Sequence, residues 1–145
     1  MPKDKASATT SIAAPVDEVL AVIRDVGSQA DWVKEVSLVE LLEEYEDGTP
    51  ATARFEVTTG IGADKYILEY EHSDDGMTWT MVEGHLQKSQ DGAYVLSDLG
   101  SDRTEVTLTL EIEHSIHAPG FVRRRIFSGV VKNTVAELKA HVEAP

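Results

Sequence analysis

The sequence predicts an α+β fold: a curved, seven-stranded antiparallel sheet wrapped around a long C-terminal helix, with two short helices after the first strand. Three observations predict it. Between Glu35 and Thr109, short segments alternate apolar and polar residues with a period of two and are separated by turn-forming pairs. Beyond Pro119 the apolar period changes to that of a helix. A Thr-rich, strand-like stretch opens the chain and is followed by a short amphipathic helix. With 145 residues, 41% of them apolar and 27% charged, the chain has an ordinary globular balance. No linker, repeat or low-complexity tract interrupts it, so a single domain is expected over residues 1–145.

In chain order, Ser7 to Ile12 reads as the first strand. Ala14-Pro15-Val16-Asp17-Glu18 reads as a helix start, with proline near the first helical position and carboxylates where the helix dipole favours them. Val16, Val19, Leu20 and Ile23 give that helix one apolar face, and Gly27 is expected to end it. A second short helical piece carries Trp32 and Val33. Six strands follow: Val36–Tyr45, Ala51–Thr59, Tyr66–Glu71, Met77–Glu83, Leu86–Leu96 and Arg103–Ile116. Asp47-Gly48, Gly60 with Gly62, Asp75-Gly76, Gly84-His85 and Gly100-Ser101-Asp102 separate them, as in a meander of hairpins.

The alternation marks one covered face and one wet face. Met77, Trp79 and Met81 oppose threonines, and Tyr66, Leu68 and Tyr70 oppose Lys65, Glu69 and Glu71. In the last strand Val106, Leu108, Leu110 and Ile112 oppose Glu and Thr. The cover is the tail: Pro119 to Val142 predicts a helix about 36 Å long. Phe127, Val131, Val135, Leu138 and Val142 form its stripe, widened by Ile126 and Val130. Sheet twist generates a concavity, and a long helix laid across it leaves space beneath.

Composition excludes several function classes. Thirteen basic against twenty-six acidic residues give a net charge of −13, which argues against nucleic-acid binding. The one basic cluster, Arg123-Arg124-Arg125, reads as a solvated helix face. There is no cysteine, hence no disulfide or thiolate chemistry. No HExxH or paired helical histidines appear, so no metal or cofactor is expected. No apolar run is long enough for a membrane span and no signal-peptide core is present, so the expected location is cytoplasmic.

The order of elements, with the opening Ser11-Ile12-Ala13-Ala14-Pro15-Val16-Asp17-Glu18-Val19, the Asp25-to-Trp32 spacing, and the closing pair Asp91-Gly92-Ala93-Tyr94-Val95-Leu96 and Arg103-Thr104-Glu105-Val106-Thr107-Leu108, resembles the helix-grip fold of the SRPBCC superfamily. This START-related, birch-pollen-allergen-like group includes small bacterial members of the polyketide cyclase/dehydrase or lipid-transport type, and the sequence looks most like those. The resemblance covers nearly the whole chain. It implies a hydrophobic cavity under the long helix and a small hydrophobic ligand as partner. It implies reaction chemistry only weakly, because fold does not fix function.

The expected cavity lining is Trp32, Phe55, Tyr66, Leu68, Tyr70, Trp79, Met81, Tyr94, Leu108, Leu110, Phe127 and Val131. Each of these aromatic residues alone also reads as core packing, but buried Tyr and Trp need polar partners, which a ligand pocket supplies. His72 and His114 share the inward parity of their strands and read either as cavity groups or as idle strand-end histidines. Glu83 shares parity with Trp79, so it reads as an inward acid-base carboxyl, unless a bulge at Gly84 turns it outward. Gly129 inside the helix reads either as a close-approach site or as a tolerated glycine. Three functions follow in order: a binder of a lipid-like or polycyclic aromatic molecule, with at most weak catalysis; a cofactor-independent cyclase or dehydrase using tyrosines, His72 or Glu83; and a protein-interaction module without ligand.

Overall fold

The computed structural model describes residues 3–59, 62–114 and 117–145. Gly60 of the predicted turn, and Ser115 and Ile116 at the end of the predicted last strand, lie outside the described residues. The elements are β1 (Lys3–Ile12), α1 (Val16–Arg24), α2 (Gln29–Trp32), β2 (Val36–Glu44), β3 (Pro50–Thr59), β4 (Gly62–Ser73), β5 (Gly76–Gly84), β6 (Gln87–Gly100), β7 (Arg103–His114) and α3 (Gly120–Glu143). The seven strands form one antiparallel sheet in the order β1-β7-β6-β5-β4-β3-β2. This is the predicted meander, with β1 returning to pair with β7 from Lys3↔Glu113 to Ile12↔Thr104.

Turn chemistry sets the registers. Gly48 takes φ +86°, and Asp47 accepts hydrogen bonds from the Thr49 amide and hydroxyl at 3.0 and 2.6 Å. Ser101 and Asp102 both have positive φ, 55° and 56°, as a two-residue hairpin turn between twisted strands demands. Gly76 is required for a different reason: a Cβ there would lie 2.1 Å from the Tyr94 carbonyl oxygen. On the convex face, Ser7–Thr109 and Thr9–Thr107 hydroxyl pairs at 3.2 and 3.0 Å tie β1 to β7.

The concave face and the helices enclose the core. Ile12, Val19, Ile23, Val106, Leu108, Val131, Val135 and Leu138 are among its buried residues. Helix α1 ends at Arg24, earlier than expected from Gly27, because a 3-10 turn over Val26–Ser28 takes up the glycine. Ser28 Oγ caps that turn on the Asp25 carbonyl at 2.7 Å. Helix α3 matches the predicted tail within one residue at each end. Among the described residues, no helix is long and apolar enough to cross a membrane.

Candidate functional site

A cavity of about 140 Å³ lies between α3 and the part of the sheet built from β2 to β7. Its walls follow from strand parity. Phe55 and Val57 of β3, Leu68 and Tyr70 of β4, and Leu108 and Leu110 of β7 face it. Helix α3 contributes Phe127, Val130 and Thr134, spaced three, four and seven residues apart on one flank. Val33, Val36 and Gln29 close the side nearest α2.

The aromatic end is continuous. Phe55 stacks on Tyr66 at 5.5 Å, Tyr70 lies 6.2 Å from Trp79, and Trp79 lies 5.5 Å from Tyr94. The indole fits because its opposite number across the strands is Gly92. A Cβ at Gly92 would sit 2.2 Å from the indole ring, so this glycine makes room for Trp79. Trp79 Nε1 donates to Gln90 Oε1 at 2.9 Å, and Gln90 Nε2 donates to Gln87 Oε1 at 2.7 Å. The Tyr66 hydroxyl also bonds Gln90, so one buried amide organises two aromatic residues.

All three cavity tyrosines are held protonated. Burial raises the hydroxyls of Tyr66, Tyr70 and Tyr94 above their ordinary range, Asp64 adds to the effect at Tyr66, and the neighbouring tyrosines add to it at Tyr70. The Tyr70 hydroxyl has no hydrogen-bond partner among the described residues. Beside Tyr66 stand two carboxylates. Asp64 accepts from the amides of Lys65 and Leu86 at 2.8 Å each and of Gln87 at 3.3 Å, which tethers the β5–β6 connection. Glu35 has its carboxyl pushed up by burial and then by Glu137.

His114 borders the cavity from the end of β7 and is 1% exposed. Its Nε2 donates to Asp4 Oδ2 at 2.8 Å, and Arg123 Nε donates to the same oxygen at 3.1 Å. Burial alone would raise Asp4, but the hydrogen bonds and charges of His114 and Arg123 outweigh it and hold the carboxyl below the usual aspartate range. Phe127 covers His114, with ring centroids 5.2 Å apart.

Of the expected lining, Phe55, Tyr66, Leu68, Tyr70, Trp79, Tyr94, Leu108, Leu110 and Phe127 border the cavity. Trp32, Met81 and Val131 do not. Trp32 stacks on His141 at 5.9 Å and donates to Ser28 Oγ at 3.1 Å, which seats α2 on the C-terminal end of α3. Met81 pairs with Leu68 and fills the space over Gly84. Val131 is buried in the core, one residue round the helix from the cavity flank.

The two weaker candidates also lie elsewhere. Glu83 is exposed, because a β-bulge leaves Val82 unpaired between Leu68↔Met81 and Ile67↔Glu83 and so reverses the parity. His72 sits beyond the cavity, with Nε2 donating to the Pro50 carbonyl at 2.7 Å and its ring against Tyr70 and Tyr45. Gly129 is not a close-approach site, since a Cβ there would meet nothing within 4 Å. Sequence reasoning missed Asp64, Gln90, Glu35 and Thr134 as cavity residues. The signal was present for two of them: Gln90 shares the parity of Tyr94, and Thr134 lies seven residues after Phe127. Among the described residues, no group of three or more His, Asp or Glu is placed to hold a metal ion.

The sequence matches the family described as "Polyketide cyclase / dehydrase and lipid transport" over residues 3–143. No curated protein matches the chain at a significant level. Similar solved structures include a START superfamily protein from Mycobacterium smegmatis, 20% identical with a TM-score of 0.89, over 96% of this chain and 97% of that one. The protein TTHA0849 from Thermus thermophilus is 23% identical, with a TM-score of 0.83 and 97% of both chains covered. The Zhui aromatase/cyclase from a Streptomyces species is 21% identical, with a TM-score of 0.78, over 97% of this chain and 92% of that one. At these identities the likeness is one of fold.

Proposed function

The chain belongs to the polyketide cyclase/dehydrase and lipid-transport family, and from that premise we propose that it is a single-domain binder of a small hydrophobic molecule held between the sheet and α3. The observation that carries this reading is the cavity itself. Its walls are mostly aromatic and aliphatic, and the polar groups that border it are tyrosine and threonine hydroxyls, amides, Glu35, Asp64 and the Asp4-bound His114, with no serine among the described lining residues to act as a nucleophile. Burial of apolar ligand surface supplies affinity at about 25 cal/mol per Å², and the polar groups orient the ligand.

A second reading has a specific observation in its favour. The Asp4–His114 pair joins a carboxylate to an imidazole that borders the cavity. Together with protonated tyrosines, it forms an arrangement suited to moving a proton during a cyclisation or dehydration of the kind the family's description names. His72 and Glu83 have no part in this version.

A cavity-filling substitution tests the binding reading. Leu110 faces the cavity and is only half-buried, so Leu110→Trp places its ring in existing space. The expected outcome is loss of binding of a hydrophobic fluorescent probe with a melting temperature that holds or rises. Overpacking of a filled core would instead cost about 1–3 kcal/mol, and that result without probe binding by the wild type would remove the binding function. Native mass spectrometry of protein purified from its own host then separates a retained ligand from a turnover product.

A further inference from the structure

Resting on the ligand-binding reading above, we propose that the cavity takes a compact, uncharged molecule of about one ring that presents an oxygen acceptor to the buried tyrosine end, and that it discriminates against anions. This narrows the expectation of a lipid-like or polycyclic ligand, and three independent features of the cavity lead to it.

The first is size. A cavity of about 140 Å³ is close to the ~150 Å³ that holds a single benzene ring, whereas drug-sized ligands occupy about 300–1,000 Å³. A second fused ring needs displacement of a wall, and the walls near Trp79 are fixed by the Gly92 approach and the Gln90 hydrogen bond.

The second is charge. Among the described residues no Lys or Arg borders the cavity, while Glu35 and Asp64 do. The Asp64 oxygens are engaged by three backbone amides. Glu35 already resists ionisation in its place near Glu137, and a ligand carboxylate or phosphate beside it adds a further like charge. The imidazole of His114 brings no uncompensated cation, because the Asp4 carboxylate lies against it and is shared with Arg123.

The third is the donor set. Tyr66, Tyr70 and Tyr94 stay protonated at neutral pH and so have O–H groups to give. The Tyr70 side chain is 1% exposed, borders the cavity, and has a hydroxyl with no partner among the described residues. A buried hydroxyl in that position is unfavourable until an acceptor reaches it. A ketone, ester or ether oxygen at the aromatic end supplies one, and the ring behind it packs against Leu108 and Leu110.

The test compares three probes of nearly equal shape: acetophenone, ethylbenzene and benzoate, titrated at pH 7.5 while the methyl resonances of Leu108 and Leu110 are followed by NMR. Acetophenone is expected to bind at least about fivefold more tightly than ethylbenzene, the factor that one modest hydrogen bond produces. Benzoate is expected to be at least about tenfold weaker than acetophenone. Tyr70→Phe should erase the ketone preference while melting no lower than wild type, since the lost hydroxyl has no partner among the described residues. Glu35→Gln should narrow the benzoate deficit. Benzoate binding as tightly as acetophenone, or a ketone preference that survives Tyr70→Phe, overturns the proposal while leaving the cavity as a binding site. If none of the three probes shifts the cavity methyls, the binding function falls as well.

Discussion

The two halves of α3 are held by different forces, although they form one continuous helix. From Val131 onward, Val131, Val135 and Leu138 are buried against the core. Glu137 accepts from the Lys34 amide, Lys139 donates to the Ser11 carbonyl at 2.7 Å, and Glu143 accepts from the Ala13 amide at 2.8 Å. Between Gly120 and Val130 no residue is fully buried. That half rests on the Asp4–His114–Arg123 cluster and on the face of Phe127, and it roofs the cavity. Apolar packing and polar ties to the backbone of Lys34, Ser11 and Ala13 fasten one half, and a charge cluster fastens the other beside the cavity. Regions that admit a ligand are drawn from the less stable parts of a fold, and on the proposed binding function the less buried N-terminal half of α3 is the part expected to move.

Truncating one anchor in each half makes the sharpest comparison. Leu138→Ala should cost about 2–5 kcal/mol, as a fully buried leucine does. Phe127→Ala should cost well under the ~3–5 kcal/mol of a fully buried phenylalanine, because its ring is half-buried, and it should widen the cavity enough to admit two-ring probes. Chemical denaturation of both variants checks the pair. Equal costs would mean that the roof is as firmly packed as the anchor.

Acid separates the halves at the next level. The Asp4 carboxyl is depressed in the fold, so the unfolded chain binds the proton more readily. Its contribution is therefore complete above the ordinary aspartate value of 3.8 and is lost as pH falls below it toward the folded value. Amide protection factors over residues 121–128 should fall on acidification through that window, while those over residues 131–141 hold. Asp4→Asn should remove this dependence and cost roughly 1.5–3 kcal/mol at neutral pH, the range for hydrogen bonds to a charged group. Uniform loss of protection along α3 would show that the halves are not separable.

The smallest expected effect lies at their junction. Because a Cβ at Gly129 meets nothing within 4 Å, Gly129→Ala should stabilise by about 0.5–1 kcal/mol through helix propensity alone. A further consequence would be slower probe entry, as the roof stiffens. Destabilisation would show that the junction needs the glycine to bend.

Much of this molecule was determined by local pattern. The strands, their inward residues and the long helix follow from periods of two and of 3.6 along the chain, and Asp47-Gly48 and Gly100-Ser101-Asp102 place the turns by backbone preference. Most of the aromatic lining followed from parity in the same way. What only the tertiary structure decided involves partners distant in sequence. The bulge at Val82 depends on how β5 pairs with β4, and it turned Glu83 outward against its parity. Val131 and Val130 differ by one position on an apolar helix, and only the docking of α3 on β1 sends the first to the core and the second to the cavity. Asp4 and His114 are 110 residues apart, and no periodicity announces that their strands meet. Local backbone chemistry has a short reach, so it writes elements and faces into the sequence; which side chains share a buried space is set by long-range packing.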